Sequence, residues 1–497
     1  MIHSLWHRLF VNAIAVEKVT FSGRVVLLGF GTVGQGLLSL LLRHFEMPMA
    51  QVTVVDAEKH RAQFARFARL GICYFQHRLT RDNLTSTLER LLSPGDLLIN
   101  LTVGVDSITI IEWCQIHNIL YVDSSIEPWA DQFEDIKIPL WKRTHYFFHQ
   151  TLRHLAKTRW PSHGTTAIVA HGANPGLVSH FVKAALLDIA SIIKLPQIWP
   201  TDQTSWATMA RACGVKVIQI SERDTQISSR PKQLEEFVNT WSIWGFLAEA
   251  YYPAEIGWGT HEKHLPENAA CFELGSGNAI YLQRPGGATY IRSWLPLGGS
   301  IEGLLLSHSE TITISDYFSL WQDGQLLYRP TVNFAYHPTN DAIASLREVM
   351  MRGGQPHEKL RVLNQDIVTG RDELGVLLLG HPCNGWWYGS QLSIEEARQI
   401  LPGHNATTVQ VCAGVIAAAV WAVRHPQAGF REPEQLPHNE ILQIARPYLG
   451  RMVSVPTNWT PLQGRWGATS RYSSTLLFPE PWLDWNDPWQ FDNFLVR

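Results

Sequence analysis

What this chain lacks narrows its chemistry early. Its six cysteines (Cys73, Cys114, Cys213, Cys271, Cys383 and Cys412) are scattered without a C-x-x-C pair. Neither a zinc site nor a disulfide framework is indicated, no metal is expected, and reduced thiols in a cytoplasm are the simpler reading. H-E-x-x-H, G-x-S-x-G and a Walker loop ending in Gly-Lys-Ser/Thr are all missing, which removes the usual signatures of zinc proteolysis, esterase chemistry and P-loop phosphoryl transfer. Basic charge is not in excess: 41 Lys and Arg stand against 44 Asp and Glu, a formal charge of -3. That balance offers no cationic surface for nucleic acid and suits a neutral or cationic small ligand at least as well as an anion. Long apolar runs are scarce too. The longest, 406–423, includes Thr407, Thr408 and Gln410 among small residues such as Ala413 and Gly414. It barely reaches a membrane span and reads as a helix buried in a core or a subunit interface, so no membrane partner is expected. The first twenty residues show no convincing cleavage site and read as an extension rather than a signal peptide.

What is present begins with a glycine loop. The apolar run Val25–Leu28 meets Gly29-Phe30-Gly31-Thr32-Val33-Gly34, a helical pattern follows from 36 to 45, and a second strand, 52–55, ends in Asp56. A lone G-x-G-x-x-G says little, but strand before, helix after and an acid about 20 residues on make a dinucleotide-binding βαβ unit. Gly29 allows the tight turn, Gly31 lets backbone approach the pyrophosphate, and Gly34 lets helix and strand pack closely, while the helix N-terminus at Thr32 and Val33 faces the phosphates. Asp56 would hold the adenosine ribose and repel a 2'-phosphate, which favours NAD. Lys59 and Arg61 nearby are the features that would suit NADP.

With 497 residues, 45% of them hydrophobic, the chain can bury two or more cores. The expected fold class is α/β: an N-terminal extension (1–22), a Rossmann domain (23–175), a second α+β mixed-sheet domain for substrate and dimerisation (176–455, part of which could return to the first), and an irregular arm (456–497). A fourth strand over 96–103 and a fifth over Leu120–Asp123 end in small and polar residues. Ligands bind outside the carboxyl ends of such strands, which places Thr102 and Ser124 toward the nicotinamide. A strand over 167–170 leads into Asn174-Pro175, which reads as a helix start with Asn174 as its N-cap. Beyond 195, a strand over 215–220 ends in Glu222-Arg223-Asp224-Thr225, and further strand-like runs occur at 279–282, 289–294 and 311–314.

Acids recur beside aromatics in this half: Glu127 with Trp129, Glu222 with Asp224, Trp241 with Glu249, and Glu255 with Trp258. Carboxylates pair with ammonium, an indole face attracts the same charge, and two separated acids can hold a diamine at both ends. Any one such glutamate is ordinarily a solvated or ion-paired surface residue; the recurrence is what points to an organic cation.

Several segments then resemble one family. They are the glycine loop with Gln35-Gly36, 121–129 (Tyr121 to Trp129), 171–176 (His171 to Gly176), 222–226, 237–242, 254–262, 372–377 and 387–392. Together these are similar to the bacterial homospermidine synthases, over nearly the whole chain; the glycine loop alone is shared with all saccharopine-dehydrogenase-like proteins. The resemblance implies a transferase of aminobutyl groups that uses NAD without net consumption. It would make homospermidine from two putrescines with loss of ammonia, or from spermidine and putrescine with loss of 1,3-diaminopropane. By matched motif it implies catalytic roles for Glu222, Trp241, Glu249 and Asn174 and a substrate contact from Glu127; Glu255, beside Trp258, and Asp106 are further candidate substrate contacts, and a cytoplasmic homodimer is expected. Where it leads one to expect an acid after the fourth strand, the chain has Gly104, with Asp106 two residues on. Either Asp106 substitutes from a shifted loop or the outer amine site is altered. Two alternatives compete: a saccharopine- or carboxynorspermidine-type dehydrogenase, which needs a cation for a substrate carboxylate, and a non-catalytic NAD-binding scaffold.

Overall fold

Strand Val25–Leu28 is apolar and buried at every position, as a strand covered on both faces must be. In the computed structural model, which describes residues 16–135, 137–196, 199–465 and 480–497, it lies inside a seven-stranded, all-parallel sheet. The order is Phe430–Arg431, Ala167–Ile168, Leu120–Asp123, Leu97–Asn100, Val25–Leu28, Val52–Asp56, Cys73–Gln76. The strand order reverses between Val25–Leu28 and Leu97–Asn100. The loops leaving these two strands therefore part and open a crevice at their carboxyl ends.

Helix Thr32–His44 starts directly from Gly31, with no side chain capping its first turn, so its leading N–H groups face the crevice. The fourth strand stops at Asn100 rather than running to 103, because the Asn100 side chain accepts from both Thr102 N (3.1 Å) and Thr102 Oγ1 (2.6 Å) and turns the chain. The strand before the Asn174 loop is likewise only Ala167–Ile168.

The second sheet is mixed. Its central strand, Val217–Asp224, runs parallel to Thr331–His337 and antiparallel to Arg371–His381, which continues into Asn384–Ser393 and Arg451–Thr457. Glu222 and Asp224, expected just beyond a strand, lie within it. Two expectations are overturned nearby. Residues 311–314 are not a strand but part of helix Ser309–Tyr317. Its β-branched residues are buried all round, and Thr311 and Thr313 satisfy their hydroxyls on His308 O (2.7 Å) and Glu434 Oε1 (2.9 Å); tertiary burial overrides the propensity. Nor does Asn174 cap a helix. The Asn174–Pro175 peptide is cis, the helix is Leu177–Ile192, and Gly176 (φ 123°) precedes it.

Helix Ala406–Arg424 returns to the first domain and lies along Thr32–His44. It is long and apolar enough to cross a membrane, but 89% of its most apolar window is buried inside the protein. Gly414 explains how close it comes: a Cβ there would stand 1.9 Å from Gly172 O. Most of the N-terminal extension, residues 1–15, lies outside the described residues, as does 466–479 of the C-terminal arm. The described part of the arm pairs Leu495–Val496 with the second sheet and buries Trp459, Trp489, Phe491 and Phe494 against it.

Candidate active site

The crevice has an outer and an inner part that share Leu101, Thr102 and Val103. Gly29, Gly31, Asp56 and Ala57 line the outer part. Gly29 sits at φ 91° with Leu101 O 2.6 Å from where a Cβ would be, and a Cβ on Gly34 would stand 2.3 Å from Gly29 O, whereas Gly31 faces open space. The first and third glycines are thus needed for the turn and the close helix, and the second leaves room for a ligand. Asp56 is fixed by accepting from Phe30 N (2.6 Å) and Glu58 N (2.7 Å). This cradle and its acid fit a nicotinamide dinucleotide with an unmodified ribose. Lys59 and Arg61, the cations nearest in sequence, are not among the lining residues; Arg78 and Arg81 are, and they pair with Glu58 and Asp131.

The inner cavity is reached past Val33, Thr102 and Ser124 and is bounded by Glu127, Asn174, Glu222, Trp241, Glu249 and His308. The second sheet delivers Glu222, paired in register with Tyr336 on one side and Leu374 on the other. Asn174 Nδ2 donates to Glu222 Oε2 at 2.6 Å. Glu222 is 3% exposed; burial pushes its carboxyl up to about 8, against the Asn174 hydrogen bond and with Asp224 adding to the rise. Trp241 precedes helix Ile243–Tyr251, and Gly245 makes room for it, since a Cβ there would stand 2.9 Å from the indole. Glu249 comes from the same helix. Burial raises its carboxyl, and His308 opposes the rise. Burial pushes Glu127 up to about 7, against a 2.9 Å hydrogen bond from Ser125.

Sequence reasoning missed His308. Its Nε2 lies 3.1 Å from Glu249 and its Nδ1 2.9 Å from Glu310. Burial works against its charge, but the two carboxylates outweigh it and hold the imidazole well above its ordinary range. A second unforeseen group lies beneath Glu222. Asp372 pairs in register with Asp224, and Thr407, which lines the cavity, reaches Asp372 Oδ2 (2.6 Å) and Asp224 Oδ2 (3.2 Å). Both carboxyls are pushed up, by burial first and, at Asp372, by the charge of Glu222 and Asp224. Among the described residues no lysine or arginine lines the inner cavity. Its floor is therefore acidic: His308 offsets Glu249 and Glu310, and the remaining carboxyls are balanced by protons or by a bound cation.

Two expected substrate contacts fall elsewhere. Glu255 is wholly buried, and its carboxylate accepts from His145 N (2.7 Å), Tyr146 N (3.0 Å) and Ser307 Oγ. It anchors the start of helix His145–Thr158 instead of facing the cavity. Asp106 caps helix Ser107–His117 by accepting from Thr109 N (2.7 Å) and Thr109 Oγ1 (2.6 Å) and is absent from the cavity wall.

Comparison with known proteins agrees with this architecture. A family model described as the saccharopine dehydrogenase NADP binding domain matches residues 25–168, and one for the saccharopine dehydrogenase C-terminal domain matches 172–457. The homospermidine synthase of Blastochloris viridis is 44% identical over 480 residues, covering 96% of this chain and 98% of that protein. That of Mesorhizobium japonicum is 41% identical over 483 residues, covering 96% and 97%. The crystal structure of the homospermidine synthase of Legionella pneumophila in complex with NAD superposes with a TM-score of 0.88 at 40% identity, covering 97% of this chain and 99% of that one.

Proposed function

Because the chain belongs to the homospermidine synthase family, which is built on saccharopine-dehydrogenase domains, we propose that its acidic inner cavity is the diamine site of an NAD-dependent, redox-neutral aminobutyl transfer. The observation that carries this reading is the composition of that cavity: Glu127, Glu222 and Glu249 with Trp241, no lysine or arginine, and an opening onto the glycine-loop cleft. A dehydrogenase that joins an amine to a keto acid needs a cation for the substrate carboxylate; among the described residues the lining provides no lysine or arginine, and its imidazole, His308, is already paired with Glu249 and Glu310. That alternative is not favoured.

Gly29, Gly31, Thr32, Val33, Gly34 and Asp56 would hold NAD at its ribose and pyrophosphate, and Thr102 and Ser124 at the nicotinamide end. Bound there, NAD supplies a hydride acceptor for the amine-bearing carbon of putrescine and, once the imine has exchanged ammonia for a second putrescine amine, the donor that reduces it. Hydride leaves only a carbon beside a neutral amine, so the first task of the protein is to remove an ammonium proton. Glu222 in its ionised form takes it: burial pushes its carboxyl up to about 8, which makes it a stronger proton acceptor than an ordinary carboxylate, and Asn174 orients one of its oxygens. Trp241 offers its indole to the positive charge that persists on the substrate. Glu249, tied to the charged His308, holds the arriving amine, and Glu127 receives the far ammonium. Spermidine serves as an alternative donor, and a cytoplasmic homodimer completes the proposal.

The test is a product assay. Protein with putrescine and NAD should yield homospermidine and ammonia with no net NADH. Stoichiometric NADH would instead mark a plain dehydrogenase, and no turnover with putrescine or spermidine would mark a scaffold.

A further inference from the structure

Gly104, where the family resemblance leads one to expect an acid, has a structural partner. It sits at φ 73°, and a Cβ there would stand 2.9 Å from the Ala130 Cβ, while Ala130 N donates to Gly104 O at 3.1 Å. The glycine therefore lets the segment Trp129-Ala130-Asp131 close onto the end of the fourth strand. Seated there, that segment forms a wall of the outer cleft, facing the wall made by 77–81. One residue joins the two walls. Arg81 forks onto Asp131, with Nη1 to Oδ2 at 3.0 Å and Nη2 to Oδ1 at 2.8 Å, and its guanidinium lies 4.9 Å from the centre of the Trp129 ring. Trp129 is only 9% exposed and belongs to the core under the first sheet, so Arg81 is held against a fixed surface.

We propose that Arg81, forked onto Asp131 and stacked on Trp129, is a latch across the outer cleft that slows escape of the nicotinamide cofactor between the two hydride transfers. The proposal rests on the redox-neutral reading above. A dehydrogenase gains from releasing its reduced cofactor, whereas an enzyme that must return the hydride within the same cycle strands an imine if the cofactor leaves first. The position of the latch fits that need. Arg81 lies on the same cleft as Asp56 and Gly31, and the segment it holds is continuous with Ser124, Ser125 and Glu127 of the inner cavity. Cofactor retention and the amine site thereby share one stretch of chain. An exposed ion pair alone would hold little; the planar fork stacked on an indole is what a guanidinium adds and an ammonium does not.

The test needs no amine substrate, so it stands apart from the product assay. NADH bound to the full-length protein is displaced by excess NAD in a stopped-flow instrument, and its dissociation is followed by fluorescence. Arg81→Ala and Asp131→Asn should each speed dissociation about fivefold to tenfold, and Arg81→Lys should behave like Arg81→Ala. Arg159→Ala, which breaks a surface pair with Glu112 away from the cleft (2.8 Å), should leave the rate unchanged. Dissociation within twofold of wild type in either Arg81→Ala or Asp131→Asn, with melting temperature preserved, would overturn the latch. If the rates change as expected while the product assay yields free NADH in wild type, retention of the cofactor by Arg81 stands, and the redox-neutral reading fails together with the purpose that it gives the latch.

Discussion

Replacing Glu222 by Gln should move stability and turnover in opposite directions. Gln keeps the shape of the side chain and leaves an amide for Asn174 to meet, but it removes the ionisable group. In the folded protein the Glu222 carboxyl is pushed up to about 8, by burial first, from an ordinary value of 4.5. The native state therefore binds more protons than the unfolded chain between those values. The stability this group contributes is fully present below 4.5 and is lost as pH rises through 8. At about 1.36 kcal/mol per pKa unit, wild type should lose up to roughly 4 kcal/mol between pH 5 and pH 8 relative to Glu222→Gln, and about half that if Asp224 and Asp372 share the proton. The assay is a pair of thermal or urea unfolding series at pH 5.5 and 8, where the gap in midpoint should widen by a few degrees in favour of the variant. Meanwhile kcat/KM for putrescine should fall about 10²- to 10⁴-fold, as expected for a lost proton acceptor. Unfolding curves that shift in parallel with pH, or near-normal turnover, would refute the argument that Glu222 is a strained, functional carboxyl.

Further predictions follow from the same geometry. In wild type, kcat/KM for putrescine should rise with pH through an acid limb near 8, where free Glu222 loses its proton, and a flat profile from pH 6 to 9 would contradict its role. Trp241→Phe should retain more activity than Trp241→Ala, because a phenyl face still attracts the cation; equal losses in steady-state assays would argue against cation-π binding. His308→Gln should raise KM for the amine, since Glu249 would lose its opposing positive charge, and move the acid limb upward, since the same charge holds down the Glu222 carboxyl; pH profiles of the variant check this. Glu255→Ala should cost about 1–3 kcal/mol of stability by leaving the His145 and Tyr146 N–H groups without their acceptor, with KM little changed; a raised KM in a stable variant would restore Glu255 to the site.

Local pattern made the cofactor half of the molecule legible. Val25–Leu28, the glycine loop and Leu120–Asp123 are read from apolar runs and fixed glycine offsets, and those cues are local by nature. The inner cavity that we propose as the amine site was legible only in part. Glu127, Asn174, Glu222, Trp241 and Glu249 stand in quotable segments, yet what brings them together is sheet register and a returning helix, which sequence spacing does not encode. His308 and Thr407 escaped for that reason: each gains its role from partners far along the chain. Glu255 and Asp106 show the reverse error. Glu255 beside an aromatic and Asp106 just after the fourth strand looked like ligand contacts, but one anchors a helix start and the other caps a helix, tasks that satisfy backbone N–H groups as readily as a ligand would. Residues 311–314 misled through β-branching, because a buried helix tolerates such residues once their hydroxyls find acceptors.

The central claim is that one hydride leaves a substrate carbon and returns within a single cycle. Putrescine carrying two deuteriums on each amine-bearing carbon, turned over with NAD in the presence of a pool of unlabelled NADH, tests it directly by mass spectrometry of the product. The account predicts homospermidine that keeps both deuteriums at the donor carbon; replacement of one of them by protium from the unlabelled pool would contradict it.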